Sequence, residues 1–190
     1  YHACPIASPD KTPMGNVPTS SPGFRLPRLL LPRPGIDLRR WAVIACDQYT
    51  SEPEYWRRVA DEVGDAPSTL HLIFPEVYLE QADAPQRIEA IQRTMRRYLA
   101  DGLLVEHAGP VYVERRLGSR IRRGLMLELD LEHYDYSAQS PSLIRPTEGT
   151  MVARLAPRIA VRSGAALELP HILVLIDDPD DTVIGPLAAA

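Results

Sequence analysis

The chain has 190 residues, 45% hydrophobic and 24% charged, long enough for one domain with a real core and short for two. Its formal net charge of −4 argues against a protein that lives on the nucleic-acid backbone, since such proteins carry surplus Lys and Arg. Two cysteines, Cys4 and Cys46, make neither a disulfide framework nor a metal spacing, and no apolar run approaches the ~20 residues needed to span a bilayer. With no leader of the charged-then-apolar type, a reduced, cytoplasmic compartment is the expected location, and neither nucleic acid nor a membrane is an expected partner.

Residues 1–23 are rich in Pro, Ser and Thr, without apolar period, and are expected to be disordered. The chain opens with Tyr1, and Met14 reads better as a natural start. An α/β or α+β domain is expected over 24–190: a mixed sheet of short strands, a β-hairpin and flanking helices. Leu29–Leu31 followed by Pro32, Pro34 and Gly35 is an extended edge piece ending in a turn. The continuous apolar run from Trp41 to Cys46 suits a buried strand. Ser51 and Glu54 then have capping-box spacing for a helix closed by Gly64, which makes Asp47 to Thr50 a strand-to-helix loop, where α/β sheets bind ligands.

Thr69 to Phe74 is expected to be a second strand, stopped by Pro75. A long helix follows from Asp83 or Pro85 to Asp101, with Ile88, Ile91, Met95, Tyr98 and Leu99 as its apolar stripe. Val111–Arg115 and Ile121–Glu132 predict a hairpin, turned through Leu117-Gly118-Ser119, with Leu125, Leu127, Leu129 and Leu131 on its buried face. Arg115, Arg116, Arg120, Arg122 and Arg123 at the turn could grip a polyanion or simply be a solvated tip. Pro157 predicts a helix from about that residue to Gly164, with Arg158 and Arg162 on one face at i and i+4. His171 to Ile176 is expected to be a third core strand, with Asp180 or Asp181 capping a last helix. Ending inside that helix, the chain is expected to be part of a longer protein.

No Rossmann glycine pattern, Walker loop, nucleophile elbow or zinc spacing occurs. His71 and His171 lie inside apolar runs and are read as packed, hydrogen-bonded side chains. Chemistry-bearing residues gather elsewhere. Glu148, beside Thr147, Thr150 and the turn-forming Gly149, is the best candidate for a general base. Arg145, Arg154, Arg158 and Arg162 could clamp phosphate oxygens in bidentate fashion, or form surface ion pairs. Asp177 and Asp178 could hold Mg²⁺, or make a turn before the helix. Asp47 and Tyr49 close the set, and convergence of these separate segments would make a site.

Four phrases carry a resemblance: Trp41 to Trp56, Ile73 to Leu79, Ser142 to Thr150 and Leu169 to Pro179. Together they resemble the bacterial and archaeal domain of unknown function 1015 family, from about Phe24 to Leu187. The resemblance implies a chain about twice this length. It matches Asp47–Ser51 to a Pro-Tyr-Asp segment and Arg145–Thr150 to a His-Glu-Arg-Thr segment before a basic helix, with the residue order here departing from that pattern. It also suggests a distant likeness to ParB/sulfiredoxin-like kinases of free serine, in keeping with family genes beside those of serine biosynthesis. The expected function is therefore a phosphate-binding enzyme that phosphorylates a small hydroxyl metabolite. Its partner would be a nucleotide or phosphorylated metabolite, and its cofactor, unspecified by the residues, a nucleotide with Mg²⁺. The alternative is a non-catalytic regulator binding the same ligands, and a partition-like DNA binder is disfavoured by the charge.

Overall fold

The computed structural model describes residues 23–131, 144, 152, 155–169 and 171–189. They form a mixed α/β fold in two compact units: the described parts of 1–29, 107–150 and 174–190, and those of 30–106 and 151–173.

The second unit holds the core. Here β2 (Leu29–Pro32) forms a two-stranded sheet with β3 (Leu104–His107), and the amide of Arg33 continues the contact to the Leu103 carbonyl at 2.9 Å. Three helices follow the chain: α1 (Leu38–Trp41), α2 (Pro53–Val63) and α3 (Ala84–Ala100). The predicted period of α3 holds, with Ile91, Met95 and Tyr98 buried, Ile88 packed behind them and Leu99 left partly exposed. Trp41, Leu72 and Phe74 complete this cluster, and the Trp41 and Tyr98 rings stack with centroids 6.1 Å apart. The fourth helix of the chain, α4 (Leu155–Arg162), starts two residues before Pro157, which sits in its first turn where a missing amide costs nothing. It docks on α3 through Gln92, whose amide donates to the carbonyls of Ala160 and Val161, each at 3.1 Å.

Two expected strands of this unit are not strands. Trp41 ends α1 and the chain runs irregularly from Ala42 to Cys46, while Thr69–Leu72 is a 3₁₀ turn. The two runs do meet, but through single bonds: the hydroxyls of Ser68 and Thr69 donate to the Trp41 carbonyl, and the amide of Glu76 to the Cys46 carbonyl at 2.9 Å. Side-chain hydroxyls that take up backbone acceptors compete with a ladder, and Pro75 has no amide to add one. The Ser51–Glu54 capping box is also absent. Glu52 is the N-cap of α2 without a side-chain cap bond, Pro53 is its first residue, and Glu54 pairs with Arg57.

In the first unit β1 (Phe24–Arg25) pairs antiparallel with β6 (Glu128–Leu129), and β4 (Val111–Leu117) with β5 (Arg120–Met126). The expected single strand from Ile121 to Glu132 thus breaks at Leu127. The break resets the alternation, and Leu127 and Leu131 turn outward instead of sharing a buried face. Rather than one mixed sheet, the described residues form three two-stranded sheets. The apolar run His171–Ile176, expected in the core, has no strand pairing and is exposed, to 82% at Ile172. Hydrophobicity alone does not make a strand without a neighbour's backbone to pair with. The last helix, α5 (Ile184–Ala189), is capped by Asp178 and not by Asp180 or Asp181.

Candidate functional site

The clearest gathering of predicted residues lies in the second unit, where Arg158 of α4 meets the segment after Cys46. Burial of Trp56, 1% exposed, fixes that segment. Its indole Nε1 donates to the Gln48 carbonyl at 3.3 Å, and the ring stands edge-on to Tyr55. Tyr55 in turn stacks on Tyr49 at 4.1 Å. Held this way, Tyr49 adopts φ 50°, a left-handed backbone conformation that a non-glycine residue enters only when its surroundings impose it. Asp47 precedes it with an exposed carboxylate, which accepts from the Gln48 side-chain amide at 3.3 Å.

Opposite stands a residue the sequence reading passed over. Glu76 follows Pro75 at the end of the Thr69–Phe74 run, and its backbone amide ties it to Cys46. Its side chain is 6% exposed, and Oε1 accepts two bonds from Arg158, from Nε at 3.1 Å and from Nη2 at 2.5 Å. A buried carboxylate is stable only when paired. Arg158 supplies that charge while its own side chain stays 47% exposed, and among the described residues no hydrogen bond engages its Nη1. The hydrogen bond to Glu76 and the nearby Cys46 and Asp47 hold the guanidinium more firmly protonated than usual. Cys46 responds in the opposite sense: burial, then the charges of Asp47 and Glu76, push its thiol pKa up, and Arg158 only partly offsets them. The thiol is therefore neutral and poorly nucleophilic.

The structure brings together Asp47 and Arg158 from the predicted set and adds Cys46 and Glu76. Tyr49 shares the loop with Asp47. Arg162, one turn along α4, is engaged by Glu168 at 2.9 Å. Asp177 and Asp178 belong to the other unit. There Asp178 is a backbone cap, accepting from the amides of Thr182, Val183 and Ile184 at 2.9, 3.1 and 3.2 Å. Partial desolvation raises its pKa, but these amides outweigh it and the net shift is downward. Arg145, Thr147, Glu148, Thr150 and Arg154 lie outside the described residues. No group of three or more His, Cys, Asp or Glu able to hold a metal ion occurs among the described residues.

His71 does pack as expected, its Nε2 3.2 Å from the Ala66 carbonyl, whereas His171 is exposed. A separate open cleft of about 560 Å³, lined by Asp65, His71, Thr94, Arg97 and Asp101 among others, contains none of the predicted site residues. Among the described residues no helix is long and apolar enough to cross a membrane. Glu76 had one signal in the sequence: it falls inside the Ile73–Leu79 phrase that carries the family resemblance.

Residues 30–190 match the family model described as "Protein of unknown function (DUF1015)". No curated protein matches, and no solved structure does.

Proposed function

The chain belongs to the DUF1015 family, and from that premise we propose that it is a phosphate-handling enzyme, which binds a nucleotide or phosphorylated metabolite and phosphorylates a small hydroxyl metabolite such as free serine. One observation carries the proposal: Glu76 holds Arg158 by Nε and Nη2 beside Asp47, so the guanidinium is fixed in direction with Nη1 left for an anion. A bound nucleotide would supply the phosphoryl group. On the protein's side Arg158 binds and orients a phosphate oxygen, and Glu76 positions Arg158. A carboxylate would take the proton of the substrate hydroxyl as the hydroxyl oxygen attacks phosphorus, and the remainder of the nucleotide would leave with the electron pair of the broken phosphorus–oxygen bond. Asp47 and Glu148 are the two candidates for that base.

The test combines binding with turnover in the full-length protein. A thermal-shift panel of nucleotides and phospho-amino acids should find at least one stabilising ligand, and Arg158→Ala should abolish the shift. Of Asp47→Asn and Glu148→Gln, the variant lacking the base should keep the shift and lose roughly 10²–10⁴-fold in kcat. Stabilisation without product would favour a non-catalytic regulator using the same arginine. No stabilisation by any phosphate compound would end both readings.

A further inference from the structure

The β4–β5 hairpin carries charge that the site above does not use. Its sixteen residues from Val111 to Met126 contain five arginines and one glutamate, in a chain whose net charge is −4. Every residue from Val113 to Arg123 is exposed, although α5 touches β5 and Asp181 lies near enough to act on Arg123. A two-stranded ribbon by itself is marginally stable, and this one is not held by burial at its end.

Register separates its two faces. Glu114 opposes Arg123 and Arg116 opposes Ile121, and Glu114 accepts from Arg116 at 2.8 Å and from Arg123 at 3.2 Å. Those bonds, Arg123's first, hold the Glu114 carboxyl below its usual range, so this face is partly neutralised internally. On the other face Arg115 directly opposes Arg122, and Leu117 opposes Arg120. Among the described residues none of these three arginines makes an ion pair, and no acidic residue of the hairpin shares their face. Like charges directly opposite destabilise a ribbon, and a layer of anions against the face reverses the sign of that interaction.

At the tip, Leu117 is 71% exposed, level with Arg120 and ahead of Arg115 and Arg122, at a two-residue turn that Gly118 enters at φ 58°. Arg115 and Arg122 lie two residues behind it, about 7 Å back along the strands. An apolar tip with a basic collar about 7 Å behind matches the ~5–10 Å depth of the headgroup and acyl boundary. A nucleic acid suits the face less well. Residues 113–123 contain no aromatic side chain to stack and no Asn or Gln to read a base edge, and Leu117 would lead into phosphates.

We propose that this face of the hairpin is a peripheral docking surface for an anionic lipid bilayer, with Leu117 entering the interface and Arg115, Arg120 and Arg122 meeting lipid phosphates. It requires no spanning segment and is independent of the phosphate-handling site. Co-sedimentation of the full-length protein with vesicles tests it, comparing phosphatidylcholine alone with phosphatidylcholine mixed with phosphatidylserine. Binding should require phosphatidylserine and weaken with salt, and replacing the three arginines by serine should lower the partition coefficient roughly a hundredfold. Replacing them by lysine should retain most binding, which separates charge from folding. Leu117→Ser should lower it about fivefold. Equal partition onto the two vesicle types, no partition onto the anionic vesicles at low salt, or undiminished binding by the triple serine variant would overturn the proposal. Binding to a DNA or RNA oligonucleotide in place of vesicles would overturn it in favour of a nucleic-acid partner.

Discussion

Cys46 sits where opposing charges meet, and its thiol reports on them. Burial and the carboxylates of Asp47 and Glu76 raise its pKa, while Arg158 pulls it down. In Glu76→Gln one anion disappears and Arg158 loses its partner, so both changes favour the thiolate. The pH midpoint of Cys46 alkylation should fall in that variant and rise in Arg158→Ala. Shifts in the reverse order would mean that Arg158 does not stand beside the thiol. Tyr98 shows a different dependence on a single polar atom. Its hydroxyl accepts from the fully buried Ser68 amide at 3.1 Å. Tyr98→Phe leaves that amide without a partner and should cost about 1–3 kcal/mol in urea unfolding, although it removes only an oxygen.

At the scale of elements, the docking of α4 on α3 decides whether Arg158 reaches Glu76. Gln92 and Arg96 of α3 donate to carbonyls at and just beyond the end of α4, those of Ala160 and Val161 and, at 3.3 Å, that of Gly164. A methyl group at Gly164 would come within 2.5 Å of the Gln92 side chain. Gln92 can swing aside, but only by giving up its bonds to Ala160 and Val161. Gly164→Ala should therefore cost about 1 kcal/mol and weaken ligand-induced stabilisation at Arg158, measured in the same denaturation series. The start of α5 depends instead on one carboxylate. The folded-state pKa of Asp178 is depressed, so its contribution is present above the ordinary Asp range and is lost as pH falls through the folded value. Amide exchange at Val183 and Ile184 should speed up as the pH drops through that window, beyond the intrinsic pH dependence, and Asp178→Ala should show fast exchange at neutral pH too.

Across the whole molecule, burial is uneven. The side chains of Trp41, Leu72, Phe74, Ile91, Met95 and Tyr98 form one core in the second unit, with Trp56 and Val63 buried in the same unit. Met95→Ala should cost about 2–5 kcal/mol, because a flexible, fully buried side chain leaves a cavity. Arg120→Ser, on the exposed hairpin, should change unfolding by no more than about 0.5 kcal/mol. That contrast is what makes the hairpin variants usable as binding tests.

The elements that could be read from residues alone are those whose determinants are local. α3 has its period and its end at Gly102, α2 closes at Gly64, and the hairpin turns through Gly118. A 3.6-residue stripe or a glycine at positive φ acts over a few residues, so the sequence specifies it directly. The family is legible in the same way, in four phrases of consecutive residues. The three apolar runs read as core strands failed because a strand is completed by another segment. Ser68, Thr69 and Pro75 gave the first two side-chain contacts in place of a ladder, and His171–Ile176 has no strand partner among the described residues. Tertiary structure alone also chose Glu76: its role exists only because α4 brings Arg158 across 82 positions of sequence to a buried carboxylate. Local sequence determined which pieces form, and long-range pairing of charge and backbone decided which of them meet, because neither a ladder nor an ion pair is encoded in one segment.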